Sequence, residues 1–196
     1  MRIIHWSDFN CPYSYIGLKR LSDAVKELNL DPKWELKAFE LALKPKDNYD
    51  EIGKIAERDN LTIKSPKLTS SRNAHRLAKF VQNNHPEYSQ DLIFKIFEAN
   101  FKENKIISDV EVLVEIAASI SLDEDEIRQM LLKNSYNFEV ELDTEDAIFN
   151  GITSIPHYIL HVDGQQLIVP GAFEKEDFKI ALEDLINGEM KYKTFL

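Results

Sequence analysis

The sequence predicts an α/β protein in which a small sheet is interrupted by a long helical insertion. Strand-like segments occur only near the two ends of the 196-residue chain, and the stretch between them contains helix signals. Hydrophobic residues make up 43% of the chain, which is enough for a sizeable buried core. We therefore expect two units. Residues 1–42 and 151–196 form a sheet-containing unit, and residues 43–150 form an all-helical insertion.

The first elements are predicted to be a strand, a helix and a second strand. Residues 2–6 are rich in β-branched side chains, as in a buried strand. Residues 13–28 place apolar side chains at helical spacing and charged ones on the opposite face. Residues 34–38 alternate between apolar and charged types. This order predicts a parallel βαβ unit.

The middle of the chain is too long to lack regular structure in a compact domain. One helix is expected to begin near Ser70 and to contain the segment NAHRLAKFV. A second helix follows Pro86, because proline suits the first helical turn. Residues 43–49 and 60–71 are expected to be connectors.

Two capping signals predict further helices in the insertion. Ser108 with Glu111, and Ser121 with Glu124, match the S-x-x-E capping box. A last helix should end at Gly151, because glycine readily adopts the left-handed conformation that closes a helix.

The end of the chain is predicted to return to the sheet. Residues 157–162 and 165–169 flank Asp163-Gly164, a strong two-residue hairpin signal. Residues 173–187 then form an amphipathic helix. The predicted order is therefore βαβ, a helical insertion, and ββα.

Composition excludes several classes of partner. The chain carries 24 Lys and Arg against 34 Asp and Glu, and the resulting charge of −10 repels nucleic acid. We expect no membrane segment, because no stretch approaches the about 20 apolar residues that a spanning helix needs. We expect no signal peptide either, because the apolar run after Arg2 is only a few residues long. With one cysteine and no internal disulfide, the cytoplasm is the expected location.

The motif CPYS, from Cys11 to Ser14, carries the candidate chemistry. It lies between the first strand and the first helix, where free N–H groups and the helix dipole lower the pKa of a cysteine. Pro12 suits the first helical turn, and the Ser14 hydroxyl can donate to the sulfur. Asp8, just before the motif, could tune the thiol, but a solvated carboxylate is the favoured expectation.

Structural interpretations stay open for the same residues. A lone cysteine is commonly a small buried hydrophobe, and Ser14 can be an ordinary first-turn residue. Spacing alone favours a trans bond at Pro156, which heads the predicted third strand. No cysteine or carboxylate cluster accompanies the histidines of that strand, so we expect no metal site.

Four segments together resemble the DsbA family, and more narrowly its FrnE-type branch. They are WSDFNCPYSYIG, NAHRL, ISDVEVLVEIA and GITSIPHYIL. The resemblance implies a thioredoxin-like fold whose helical insertion forms a lid over the site.

The resemblance also implies roles for individual residues. Cys11 would be the attacking thiolate, and Pro156 would be a cis-proline beside it. Pro12, Tyr13, Ile155 and Pro156 would contact a bound thiol or peptide, with the backbone of Ile155 pairing with it. His75 belongs to the AHRL box and is expected on the lid, as a packed or surface residue rather than as a catalyst.

The departure from the family pattern is Ser14, where FrnE-type proteins usually have a second cysteine. Cys11 could then form a mixed disulfide with a small-molecule or protein thiol, but an external thiol such as glutathione would have to resolve it. No bound cofactor is expected, and glutathione would be a co-substrate. Kappa-class glutathione transferases and 2-hydroxychromene-2-carboxylate isomerases carry Ser-Pro-Tyr-Ser here. Glutathione-dependent transfer or isomerisation of small hydrophobic electrophiles is therefore one alternative, and non-catalytic peptide binding is another.

Overall fold

The computed structural model describes residues 1–42 and 47–189. Its first unit confirms the predicted strand, helix and strand. These are β1 (Arg2–Ser7), α1 (Pro12–Glu27) and β2 (Lys33–Ala38), and β1 pairs with β2 in parallel.

The insertion is helical, as predicted, and within the described residues it contains six α-helices. They are α2 (Tyr49–Glu57), α3 (Arg72–Asn84), α4 (Ser89–Phe101), α5 (Val110–Ala118), α6 (Glu124–Leu132) and α7 (Asn137–Phe149). A 3-10 turn at Pro86–Tyr88 precedes α4. Sequence patterns missed α2, and the predicted connector 43–49 lies partly outside the described residues and ends inside this helix. Among the described helices, none combines the length and the apolar character that crossing a membrane requires.

The two predicted capping boxes are wrong in detail, although helices do start at both places. Asp109 caps α5, and its carboxylate accepts from the N–H groups of Glu111 and Val112 at 2.8 and 3.3 Å. Asp123 caps α6 and accepts from the N–H of Glu126 at 2.8 Å. A carboxylate at this position satisfies a free N–H and also interacts favourably with the helix dipole.

The carboxyl-terminal elements complete one four-stranded sheet within the described residues. β3 (His157–Val162) and β4 (Gln165–Pro170) form the predicted hairpin, followed by α8 (Lys175–Ile186). Both turn residues, Asp163 and Gly164, have positive φ, as a two-residue hairpin requires. The strand order is β2-β1-β3-β4, and β3 runs antiparallel to β1.

The insertion shares a hydrophobic core with the sheet-containing unit. Side chains of α1 and of the loop before it pack with those of the insertion; they include Phe9, Tyr15, Ile16, Leu77, Ile93, Phe97 and Phe101. The opposite side of α1 packs against β3 and α8 in a second cluster, with Leu21, Val25, Tyr158, Phe178 and Leu182. The insertion is therefore continuous with the core that supports α1.

Side chains of the insertion also cover the outer edge of β2. The Leu36 N–H donates to Gln82 Oε1 at 2.7 Å, and Lys79 Nζ donates to the Leu36 carbonyl at 3.0 Å. The Ala38 N–H donates to Asp143 Oδ2 at 2.8 Å, and Lys79 pairs with that carboxylate at 2.6 Å. These contacts satisfy backbone groups that an edge strand otherwise exposes.

Candidate active site around Cys11

Cys11 lies at the junction of β1 and α1, in the N-cap position. Its backbone is extended, with φ −95° and ψ 111°, and its N–H donates to the Asp8 carbonyl at 2.9 Å. Its own carbonyl accepts from the N–H of Ser14 at 3.1 Å, and Pro12 occupies the first helical turn. Strand, loop and helix together thus place the sulfur at the start of α1.

The thiol is almost completely buried, with 5% of the residue exposed. Burial raises the pKa of Cys11, and the negative charge of Asp8 raises it further. The Ser14 hydroxyl and the N–H groups of Ser14 and Tyr13 lower it, but they do not offset the burial. The lowered pKa expected from the sequence is therefore wrong, because the helix-start effect is outweighed by removal of the sulfur from water.

The rest of the CPYS motif divides into one exposed and two buried side chains. Tyr13 is 41% exposed and lies at the surface beside the thiol, while Pro12 is buried. Ser14 is fully buried. Its hydroxyl bonds to no oxygen or nitrogen of the described residues and interacts instead with Cys11.

Ile155 and Pro156 lie at the same end of the sheet as Cys11. Trp6, near the end of β1, pairs with His157, at the start of β3. The residues just before β3 therefore lie at the edge of the sheet where β1 ends and the chain continues to Cys11. The Ile155–Pro156 peptide bond is cis, and the Pro156 carbonyl accepts from the Gly171 N–H at 2.8 Å.

His75 is on α3 of the insertion but does not face solvent. It is 1% exposed, and its ring packs against Phe9 with a centroid distance of 4.9 Å. Its Nε2 atom lies 3.6 Å from Asp8 Oδ1. The structure thus places His75 beneath the loop that precedes Cys11.

Asp8 is the site residue that sequence reasoning placed wrongly. It is completely buried rather than solvated. Burial by itself raises the pKa of a carboxyl group, but His75, Ser71 and the Leu41 N–H outweigh it and hold the pKa of Asp8 below its usual value. Asp8 is therefore a buried carboxylate beside the thiol. Leu41, Ser71 and His75 are at least 33 residues away from it in sequence, so no local signal could have identified them as its partners.

Two tyrosines that the sequence did not single out also face the thiol. Burial raises the pKa of Tyr49, on α2, to about 12, and raises that of Tyr158, on β3, well above its usual value. Interaction with Cys11 adds to both shifts. Both side chains are therefore neutral at physiological pH and add no charge to the surroundings of the sulfur.

Among the described residues, no group of three or more His, Cys, Asp or Glu side chains is arranged to hold a metal ion. The site consists of one thiol, one hydroxyl, neutral tyrosines and a buried carboxylate.

Comparisons with known proteins agree with this architecture. A family model for the DSBA-like thioredoxin domain matches residues 2–183. The crystal structure of the probable DsbA oxidoreductase SCO1869 from Streptomyces coelicolor is similar, with a TM-score of 0.81, 24% identity and coverage of 100% of this chain and 94% of that one. A 2-hydroxychromene-2-carboxylate isomerase structure has a TM-score of 0.80 and 15% identity, with coverage of 99% and 100%.

The third structure is the cytosolic disulfide reductase DsbM from Pseudomonas aeruginosa with GSH. Its TM-score is 0.71 at 15% identity, with coverage of 95% of this chain and 100% of that one. At these identities, all three likenesses establish the fold.

Proposed function

The chain belongs to the DSBA-like thioredoxin domain family, and from that premise we propose that it is a thiol–disulfide oxidoreductase with Cys11 as its single nucleophilic sulfur. The observation that carries the proposal is the position of Cys11 at the start of α1, with Ser14 where a second sulfur would stand. Cys11 is the only cysteine of the chain, so exchange must proceed through one sulfur at a time.

The proposed reaction has two displacements. The Cys11 thiolate attacks one sulfur of a substrate disulfide R–S–S–R′, forms a mixed disulfide with R–S and releases R′–S⁻. An external thiolate then attacks the R–S sulfur and releases R–S–S–G, where G–S is the external thiol, and regenerates the Cys11 thiolate. Electrons pass from the external thiol to the substrate disulfide, and two disulfide bonds form as two break.

The raised pKa of Cys11 favours the reducing direction. A strongly oxidising DsbA protein owes its potential to a stabilised reduced form. At Cys11, burial and the charge of Asp8 destabilise the thiolate instead. A thiol with a higher pKa is also a stronger intrinsic nucleophile and a poorer leaving group, so it holds a mixed disulfide until an external thiol arrives. We therefore expect reduction of mixed disulfides, with glutathione or a similar small thiol as reductant.

Substrate contacts would come from the surface around the thiol. Tyr13 offers an exposed ring beside Cys11, and Ile155 and Pro156 lie at the same end of the sheet. The backbone of Ile155 would pair with the chain that carries the substrate sulfur, and Pro12 would pack beside it. A reductive reaction that consumes a small thiol fits the cytoplasm, where such thiols are kept reduced.

The burial of Ser14 distinguishes this proposal from the isomerase-like alternative. In that alternative, glutathione is held at the motif by Ser14 or Cys11 and acts on a small hydrophobic electrophile. Ser14 is fully buried, whereas 5% of Cys11 stays exposed, so of the two side chains Cys11 is the one that an incoming sulfur can reach.

The test is to incubate the reduced protein with oxidised glutathione above neutral pH and to measure its intact mass. We expect one glutathione adduct on the wild type and none on Cys11→Ser. The matched variant Ser14→Cys should release the bound glutathione without added thiol, because the new sulfur can displace it. Reversible glutathione binding without an adduct would contradict exchange and favour the isomerase-like alternative.

A further inference from the structure

The carboxylate of Asp8 is fully buried in the loop before Cys11 and is surrounded by four polar groups. The Asn10 N–H donates to Oδ1 at 3.1 Å, and the Leu41 N–H donates to Oδ2 at 2.6 Å. Ser71 and His75 also favour the charged form of this carboxylate, and His75 Nε2 lies 3.6 Å from Oδ1. Such a donor set stabilises a buried carboxylate in its charged form.

Most of this donor set belongs to the insertion or leads into it. Ser71 and His75 stand at the start of α3, and Leu41 follows β2 just before the insertion begins. Only the Asn10 N–H comes from the loop of residues 8–10 that precedes Cys11. The charge of Asp8 therefore depends on how the insertion sits against that loop.

The insertion fixes the neighbouring residues of the loop as well. Asn10 Nδ2 donates to the Thr69 carbonyl at 2.8 Å, and Asn100 Nδ2 donates to the Phe9 carbonyl at 2.8 Å. The Phe9 ring packs against Phe97 at a centroid distance of 5.0 Å. Each residue between β1 and Cys11 is thus held by a contact from the insertion, and the distance from the carboxylate to the thiol is set by the same contacts.

Within residues 1–42 and 47–189, Asp8 is the charged group that acts on the thiol. The other titratable groups that interact with Cys11 in this part of the chain are Tyr49 from α2 and Tyr158 from β3, and both are neutral because burial raises their pKa. A fixed negative charge in a water-excluded site is weakly screened, so it opposes a second negative charge on the sulfur. This opposition raises the pKa of Cys11 beyond what burial alone does.

We propose that Asp8 is a positioning residue through which the helical insertion sets the reactivity of Cys11. The inference rests on the proposed function, because it assumes that Cys11 is the nucleophile. With Asp8 charged, the resting thiol is held protonated, which slows its attack at neutral pH, and the destabilised thiolate biases the exchange toward reduction. His75 and Ser71 serve the site by keeping the Asp8 carboxylate ionised.

The test is the pH dependence of Cys11 alkylation by iodoacetamide in Asp8→Asn. Removing the charge should move the midpoint of the alkylation curve to lower pH by about one unit, so that the rate at neutral pH rises about tenfold. Asp8→Glu, which keeps the charge, should keep a high midpoint. Asp143→Asn is the matched control, because Asp143 is also a buried carboxylate but lies on α7, between β2 and Lys79. Its alkylation midpoint should equal that of the wild type.

An unchanged or raised midpoint in Asp8→Asn would overturn the proposal, as would an equal shift in Asp143→Asn. If Asp8→Asn does not fold, Asp8→Ser is the second neutral variant, since its hydroxyl can accept from the loop N–H groups without placing an amide against them.

The alkylation experiment tests the role of Asp8 independently of the glutathione adduct that tests the proposed function. A shifted midpoint without any glutathione adduct would contradict exchange and leave the electrostatic role standing. An unshifted midpoint in an enzyme that exchanges disulfides would contradict the role of Asp8 alone.

Discussion

Replacement of Gly17 by alanine is predicted to destabilise the protein, because α1 lies directly against Tyr158 and Ala172 at this position. A Cβ atom at this position would come within 2.6 Å of the Tyr158 hydroxyl oxygen and 3.1 Å of the Ala172 Cα atom. Tyr158 is fully buried and packs between His5 and Phe178, so its ring cannot swing away. The close approach of α1 to β3 thus requires glycine in the middle of the helix.

The magnitude follows from two opposing effects. Alanine in a helix interior is favoured over glycine by about 1 kcal/mol. Overpacking of a rigid core costs about 1–3 kcal/mol, and a 2.6 Å approach to a buried hydroxyl belongs at the upper end. We therefore expect Gly17→Ala to lower the free energy of unfolding by about 2 kcal/mol, which is about 4–8 °C in Tm for a chain of this size.

The assay is urea unfolding in a double-mutant cycle with Tyr158→Phe. The Tyr158 hydroxyl has no hydrogen-bond partner among the described residues, so its removal alone should be neutral or slightly stabilising. In the Tyr158→Phe background the clash with oxygen disappears and only the contact with Ala172 remains, so Gly17→Ala should cost clearly less than in the wild type. An equal cost of Gly17→Ala in both backgrounds would refute the reasoning, since the contact with Tyr158 would then contribute nothing.

Three further predictions concern the buried polar groups. Arg76→Lys should lower the free energy of unfolding by about 2–4 kcal/mol, because the buried guanidinium donates to carbonyls at the end of α6 that an ammonium group cannot all reach. Urea unfolding measures this loss, and a loss under about 1 kcal/mol would contradict the prediction. Asp143→Asn should cost about 3 kcal/mol by leaving Lys79 buried without its partner, and a Tm equal to that of the wild type would disprove this. Burial lowers the pKa of His5 to about 3, so between pH 6.5 and 3 the unfolded state binds a proton that the folded state does not. The free energy of unfolding should therefore fall by about 1.4 kcal/mol per pH unit as the pH drops through this range. Urea unfolding should show a flatter pH dependence for His5→Gln.

Local patterns were enough to predict most of the fold. Hydrophobic alternation and spacing predicted the strands and α1, and Asp163-Gly164 predicted the hairpin that the structure contains. The helix α2 was missed because it buries only Ile52 and Ala56, which leaves little apolar periodicity to recognise; α5 and α6 are equally short but bury more apolar residues. The capping boxes failed for a related reason: Asp109 and Asp123 stand close to the serines, and which of two neighbouring residues becomes the cap depends on tertiary packing.

The candidate site was only partly predictable. The sequence located Cys11 at a helix start, but it could not reveal that the folded chain buries this position and so raises the pKa of the thiol. The sequence favours a surface carboxylate at Asp8, because Ser71 and His75 are more than sixty residues away along the chain. They contact Asp8 only through the packing of α3 on the loop before Cys11.

The most direct test of the account is the steady-state reduction of a glutathione–peptide mixed disulfide in the presence of reduced glutathione. We predict a rate that saturates with both substrates in a ping-pong pattern, increases with pH above neutrality as Cys11 ionises, and disappears in Cys11→Ser. Undiminished turnover by Cys11→Ser would contradict the account, because the reaction would not then pass through the only sulfur available to carry it.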